Sequence, residues 1–85
     1  MERVIVDVML KSEILDPQGR AIAGTLNRLG HDQIANVRQG KRFEIEVSGE
    51  VTDEVLDQIE ELAKTVLSNP VIETYAIYLD EQEAQ

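Results

Sequence analysis

The side chains that usually carry acid–base or nucleophilic chemistry are scarce in this chain of 85 residues. It has no cysteine and one histidine, His31, which stands beside Asp32 after a turn predicted at Gly30. A carboxylate next to an imidazole can orient a general base. However, no cysteine or suitably placed serine accompanies the pair as a nucleophile. A solvated turn residue is therefore the better interpretation of His31.

Other kinds of site are also missing from the sequence. No glycine-rich phosphate loop follows a predicted strand, and no pair of histidines stands at metal-ligand spacing. The acids of the second predicted helix form a solvent face and do not converge on one point. We therefore predict no catalytic residue, no cofactor-binding residue and no metal site in this chain.

The net charge of −9 argues against a nucleic-acid partner, because phosphate backbones are bound by cationic side chains. The charge is unevenly distributed. Residues 1–42 hold seven Lys or Arg and five acids, whereas residues 43–85 hold twelve acids and Lys64 alone. The acidic half is best interpreted as a solvated surface.

Basic residues cluster near the middle of the chain and are the predicted site of partner contact. They would dock an acidic partner surface or anchor near a nucleotide. An equally good explanation is pairing with the outward Glu44 and Glu46 of the same sheet, which contributes little stability. The candidate partner-contact residues are Arg38, Gly40, Lys41 and Arg42.

Alternating apolar residues predict a first strand over residues 3–11 and a last strand over residues 71–79. The even positions of the first strand are all apolar and should line the core. The opposite faces of these two strands also carry apolar residues. A second copy of the chain that covered those residues would explain their presence. The candidate dimer-contact residues are Ile5, Met9, Ile72 and Tyr78.

Asp16 and Pro17 predict the start of a first helix, because Asp accepts a first-turn N–H and proline has no N–H to leave unpaired. Ile22, Leu26 and Leu29 then recur at the spacing of one buried helix face. Gly30 is the predicted stop of this helix.

Two glycines inside this helix pattern, Gly19 and Gly24, each lower its helix propensity by about 1 kcal/mol relative to alanine. Glycines kept at that cost indicate close approach of another backbone. For Gly19, local relief at the helix start is an equally good explanation.

The central stretch, residues 36–47, decides the number of strands. Its second half alternates apolar and charged residues, as a half-buried strand does. If the chain runs through Gly40 as one bent strand, Val37 shares a face with Phe43. A tight turn there would mix polar and apolar residues on both faces, so one bent strand is favoured. A three-residue hairpin loop is left open.

The predicted fold class is α+β, in the order β-α-β-α-β. A mainly antiparallel sheet of three strands, or four with a hairpin at Gly40, carries two helices on one face and is related to ferredoxin-like halves. The second helix runs from a Thr52 cap to a stop before Pro70. Residues 1–85 form one domain with a frayed tail at 80–85. A chain this small commonly gains stability by self-association.

No stretch is long and apolar enough to predict a membrane span, and Met1 leads into a strand pattern without a signal peptide. We expect a cytoplasmic protein with no membrane partner.

Loop-shaping residues recur in a fixed order along the chain. They occur in Leu15-Asp16-Pro17-Gln18-Gly19, Gly24-Thr25-Leu26 with Leu29-Gly30, Val37-Arg38-Gln39-Gly40-Lys41, and Asn69-Pro70-Val71-Ile72-Glu73-Thr74-Tyr75. This ordered set resembles the PurS-type small subunit of phosphoribosylformylglycinamidine synthase (formylglycinamide ribonucleotide amidotransferase), from the first strand to the last. Lys11-Ser12-Glu13 departs from the family, in which many members have Pro-Gly after the lysine.

The resemblance implies a non-catalytic subunit of a ligase of de novo purine biosynthesis. That complex converts formylglycinamide ribonucleotide, glutamine and ATP to formylglycinamidine ribonucleotide. The small subunit forms a homodimer, bridges the glutaminase subunit and the large synthetase subunit, and helps ammonia pass between them. ATP and Mg are used by the large subunit. The lack of cysteine in this chain agrees with a non-catalytic role, since the glutaminase needs a catalytic cysteine.

A second interpretation is a dimeric ferredoxin-like regulatory module that binds a small molecule at its dimer interface. The two interpretations differ in one measurement, because a ligand should stabilise such a module against heat and should leave a bridging subunit nearly unaffected.

Overall fold

The computed structural model describes residues 2–80. It holds three strands and two α-helices, with a π-helical turn that continues the second helix. In chain order they are β1 (Glu2–Leu10), α1 (Pro17–Arg28), β2 (Gly40–Val47), α2 (Asp53–Leu62), the π-helical turn Ala63–Leu67 and β3 (Glu73–Asp80).

The strands form one antiparallel sheet in the order β2-β1-β3, with β1 in the centre. Val6 of β1 lies opposite Phe43 of β2 and Ile77 of β3. Opposed residues in an antiparallel sheet share a face, so these apolar residues form one surface. The predicted α+β class, the element order and the three-stranded sheet are confirmed.

The central strand is shorter than the sequence predicts. β2 begins at Gly40, and residues 34–39 lie outside the sheet. The prediction of one strand bent at Gly40 is therefore wrong for its first half, and no hairpin forms there either. The reason is a set of hydrogen bonds from Arg38 and Gln39 to the start of α1 and the end of β1, which hold this segment away from the sheet.

The core lies between one face of the sheet and α2. Val4, Val6 and Val8 of β1 are fully buried, and Ile59 and Ala63 meet them from the helical side. These valines occupy the even positions that the alternation assigned to the core. Burial of apolar side chains here is the main favourable contribution to folding.

Helix α1 contributes no residue to this core. The sequence predicts two helices on one face of the sheet. Helix α2 covers that face, and α1 does not. On the predicted buried face of α1, Ile22 is 41% exposed and Leu29 is 68% exposed. The apolar spacing predicted the helix, but burial of this face is not borne out within the described residues, because no part of them covers Ile22 and Leu29.

The chain is flat and extended. Its Cα atoms span 48 × 35 × 14 Å with a radius of gyration of 16.4 Å. A compact domain of this length has a radius of gyration of about 12 Å. The difference follows from α1, which stands apart from the sheet.

The predicted tail at 80–85 needs a correction at its first residue, because Asp80 ends β3 and forms an ion pair with Arg3 at 3.2 Å. Residues 81–85 lie outside the described residues. No helix among residues 2–80 is long and apolar enough to cross a membrane.

Candidate functional site

Asp16 holds the start of α1 and the segment before β2 together. Its Oδ1 accepts the Gly19 N–H at 3.0 Å, and its Oδ2 accepts the Gln39 N–H at 2.7 Å. The side chain is the N-cap that the sequence predicts, and the residue is 5% exposed. One carboxylate therefore joins two segments that are more than twenty residues apart.

The hydrogen bonds to Asp16 also fix its charge state. The Gln39 N–H is the largest cause that lowers the pKa of the Asp16 carboxyl below its usual value of 3.8, followed by the Gly19 N–H and the nearby Arg38. Burial opposes this shift. The hydrogen bonds favour the charged form and outweigh the effect of burial, so the carboxylate is ionised at neutral pH.

Gly19 allows the start of α1 and the segment before β2 to lie this close together. A Cβ at position 19 would collide with the carbonyl oxygen of Val37 and lie 2.6 Å from Asp16 Oδ2. The predicted close approach of another backbone is confirmed at Gly19. It is absent at Gly24, where the nearest described atom to a Cβ is Arg28 Nη1 at 3.7 Å.

Arg38 is bound inside the chain. Its guanidinium donates to the carbonyl oxygens of Lys11 at 3.0 Å, Ile14 at 3.3 Å and Leu10 at 3.4 Å. The planar guanidinium has five donors, which suits three carbonyls of one turn. Arg38 thus fixes the connection between β1 and α1. Sequence reasoning missed this role, since nothing in the pattern marks the three acceptors.

Lys41 and Arg42 remain exposed, but they lie on opposite faces of β2. Successive residues of a strand alternate faces, so the four candidate residues do not form one cluster. Lys41 pairs with Glu73 at 3.5 Å, and Arg42 pairs with Glu44 at 3.4 Å. The alternative of pairing within the sheet is thus correct for Arg42. Both side chains are more than half exposed, so these pairs add little stability.

Gly40 is required at the first position of β2. A Cβ there would collide with Met9 Sδ and lie 2.5 Å from the Val8 carbonyl oxygen. The residue therefore serves close strand packing and offers no side chain to a partner.

The candidate dimer contacts lie on or beside the open face, which we define as the sheet face of β1 that carries Ile5 and Met9. Tyr78 stands directly opposite Ile5 across β1 and β3. Ile72, just before β3, accepts the Lys11 N–H at 2.8 Å. Met9 is 37% and Tyr78 53% exposed, whereas Ile5 is only 3% exposed and offers little surface.

A cleft of about 330 Å³ opens between the start of α1 and the sheet. It has an apolar floor from Val8, Leu10 and Pro17. Its polar lining residues already bond to one another or to backbone: Asp16 to two N–H groups, Gln18 to Gln39, and Lys41 to Glu73. A small-molecule site uses a few polar groups placed to bind the ligand, and those of this cleft are paired within the chain.

No reacting group is assembled elsewhere in residues 2–80. His31 lies exposed in the turn after α1, as predicted, and its backbone N–H donates to the Leu26 carbonyl. No cluster of His, Asp and Glu within those residues is arranged to hold a metal ion.

Comparison with known proteins identifies the family. Residues 3–81 match the family model PurS, described as phosphoribosylformylglycinamidine (FGAM) synthase. The chain belongs to the PurS family. It is 54% identical over 82 residues to the FGAM synthase subunit PurS of Mycobacterium leprae, covering 96% of this chain and 100% of that protein.

Solved PurS structures share the whole fold. The crystal structure of Methanocaldococcus jannaschii PurS, a subunit of formylglycinamide ribonucleotide amidotransferase, has a TM-score of 0.84 and 34% identity, with 98% of this chain and 100% of that one covered. A chain of PurLQS from Thermotoga maritima has a TM-score of 0.81 and 26% identity, with 92% and 95% covered.

Membership of this family establishes the function of the chain as that of a subunit. This chain is a small subunit of FGAM synthase, a ligase of purine biosynthesis. The prediction from the ordered set of loop residues is confirmed at that level.

Proposed function

We propose that this chain bridges the glutaminase subunit and the large synthetase subunit of FGAM synthase and helps ammonia pass between them. The observation that supports the proposal is that the buried and cleft-lining polar groups of this chain are bonded within the chain itself. The buried carboxylate, the central arginine and the residues of the cleft all bond within the chain, and what faces outward is charged and apolar surface. The similarity to a chain of Thermotoga maritima PurLQS supports a role inside a larger assembly.

The same proposal assigns the remaining components of the reaction. The large subunit uses ATP and Mg, and the glutaminase supplies the catalytic cysteine that this chain lacks. This chain forms a homodimer or a higher oligomer and acts in the cytoplasm. The exposed apolar side chains and the extended shape support self-association.

The test is reconstitution of the complex from separate components. Synthetase and glutaminase are mixed with and without this chain, and glutamine-dependent formation of formylglycinamidine ribonucleotide is measured. The expected result is product formation that needs all three proteins. Equal activity of the two larger subunits without this chain would refute the bridging role.

The contact surface of the bridge is tested at Lys41. We infer that Lys41 faces an acidic partner, while Met9, Ile72 and Tyr78 belong to an apolar contact face. Lys41→Glu should weaken assembly with the partners, measured by native mass spectrometry. Lys64→Glu is the matched control, because it makes the same charge change on another element. Lys41→Met separates loss of the charge from new repulsion with Glu73.

A further inference from the structure

The open face of the sheet is covered by its own side chains at one end. Ile5 is only 3% exposed there, although the core and α2 lie on the other face of the sheet. Tyr78 and Glu44 stand directly opposite Ile5 on the two flanking strands. Arg3 pairs with Glu44 at 3.2 Å and with Asp80 at 3.2 Å, which ties the three strands together at this end. This end of the face therefore excludes water from its apolar residue without a second layer.

The other end of the open face carries a carboxylate without a partner. Asp7 lies in the middle of the central strand and is half-buried. Arg42 stands opposite it on β2 but pairs with Glu44 at 3.4 Å, and no ion pair within residues 2–80 reaches Asp7. No side-chain oxygen or nitrogen of those residues is both buried and unpaired, so the Asp7 oxygens are open to an incoming group. A charge partly removed from water is costly to leave unpaired.

The surroundings of Asp7 suit a cationic side chain with an aliphatic stem. Ala76 stands opposite Asp7 on β3, so only a methyl group occupies the position beside the carboxylate. Met9, the next residue on this face of β1, is 37% exposed, and Tyr78, diagonal to Asp7, is 53% exposed. Diagonal neighbours in a sheet are within reach of one long side chain. Lysine and arginine pack their stems on apolar surface, and the cation is attracted to a tyrosine ring.

The charge of the whole open face indicates a basic partner. Within the described strands this face holds four carboxylates and two guanidinium groups, which gives a net charge of −2. The charged residues are Asp7, Glu44, Glu46, Asp80, Arg3 and Arg42. A second copy docked face to face would set equal negative charges against each other, and like charges oppose association. A surface with an excess of lysine and arginine is complementary.

We propose that the open face docks a basic surface of a larger subunit of FGAM synthase, and that Asp7 receives a lysine or arginine side chain of that subunit. The incoming cation lies over Ala76, with its stem against Met9 and Tyr78. The inference rests on the proposed bridging function and names the surface and the charge through which one contact of the bridge forms. It leaves self-association to other surfaces of the chain.

The first test changes the sign of one charge at Thr74, an exposed residue of the open face opposite Met9. Thr74→Lys adds a positive charge near Asp7 and should raise the dissociation constant for the larger subunits at least about tenfold. Thr74→Glu adds a negative charge at the same place and should bind them at least as tightly as wild type. Lysine and glutamate have similar strand propensities, so each variant is the control for the other. Titration calorimetry with each larger subunit and with both together measures the constants.

The second test removes the charge of Asp7 and keeps its shape. Asp7→Asn should weaken binding about tenfold and reduce the dependence of the dissociation constant on salt. Because the wild-type carboxylate has no partner within residues 2–80, the substitution should not lower the melting temperature of the chain alone. Asp57→Asn makes the same change on the solvated face of α2 and should leave binding unchanged. A folded Asp7→Asn chain that binds like wild type refutes the role of Asp7.

The outcomes separate this proposal from the one on which it rests. A wild-type chain that binds neither larger subunit refutes the bridging function, and this docking with it. A wild-type chain that binds, with both Thr74 variants binding equally well, refutes docking at the open face alone. Tighter binding by Thr74→Lys than by Thr74→Glu would mean an acidic partner and would also refute it. Variants that change only self-association, measured by sedimentation, would assign the face to a second copy and overturn the proposal.

Discussion

Gly19 shows how a single missing side chain positions a helix. The Val37 carbonyl occupies the space that a Cβ would need, so Gly19→Ala should force α1 and the segment before β2 apart. Overpacking of this kind costs about 1–3 kcal/mol of unfolding free energy. Urea denaturation of the variant measures it. Gly24→Ala is the control, because its Cβ meets only Arg28 Nη1 at 3.7 Å. That variant should gain up to about 1 kcal/mol from helix propensity, and equal effects at both positions would contradict this account.

Asp16 gives the fold a defined dependence on pH. Its folded pKa is lowered, mainly by the Gln39 N–H, so its contribution to stability is fully present above the unfolded value of 3.8. The contribution is lost as the pH falls through the folded pKa. Asp16→Asn has one acceptor oxygen in place of two and should be less stable than wild type at pH 7.

The measurement is thermal unfolding of both proteins from pH 7 to pH 3. The difference in melting temperature between wild type and Asp16→Asn should shrink below the usual Asp pKa of 3.8. Asp57→Asn, on the solvated face of α2, is the comparison and should show no such trend. A constant difference across the range would mean that the Asp16 carboxylate is not the source of the effect.

Among the elements, the connection between β1 and α1 depends on Arg38. Arg38→Met removes charged donors from three carbonyl groups and should cost about 1.5–3 kcal/mol of unfolding free energy. Arg42→Met is the matched control, since that side chain is 56% exposed and its ion pair is with Glu44. Its effect should stay below about 1 kcal/mol. Chemical denaturation compares the two, and a similar loss in both would exclude a special role for Arg38.

The elements also show what the sequence pattern could and could not predict. α2 was predictable because a Thr52 cap, acids in the first turn and an apolar stripe all agree. The extent of β2 was not, because face parity cannot detect hydrogen bonds from Arg38 and Gln39 to distant segments. For α1, the spacing of Ile22 and Leu29 correctly indicated a helix with an apolar face. Such spacing does not say whether the same chain provides the cover.

The candidate site also had a part that the sequence could predict and a part that it could not. The Asp16 cap and the close approach at Gly19 could be predicted, because both are local requirements of a helix start. The grouping of Arg38, Lys41 and Arg42 could not, since it depended on a bend that does not form. Strand alternation alone separates Lys41 from Arg42, so that part of the error was avoidable.

At the scale of the whole molecule, a small core and an extended shape link stability to assembly. Only six apolar residues are buried in the described chain, among them Val4, Val6 and Val8. A core of this size contributes limited stability. Under the proposed self-association, a second copy that covers the apolar stripe of α1 (Ile22 and Leu29) adds to it. The folded state of a self-associating chain is favoured by mass action, so its unfolding must depend on protein concentration.

The corresponding prediction is a melting temperature that rises with concentration. For a dimer that unfolds to two separate chains, a rise from about 1 µM to about 100 µM adds about 2.7 kcal/mol per dimer to the free energy of unfolding. Differential scanning calorimetry over that range measures it. Ile22→Asp should remove most of this dependence, because it places a charge on the apolar stripe of α1. A wild-type melting temperature that does not change with concentration would mean that the single chain carries all of its stability in β1 and α2, and that the exposed stripe serves only the larger subunits.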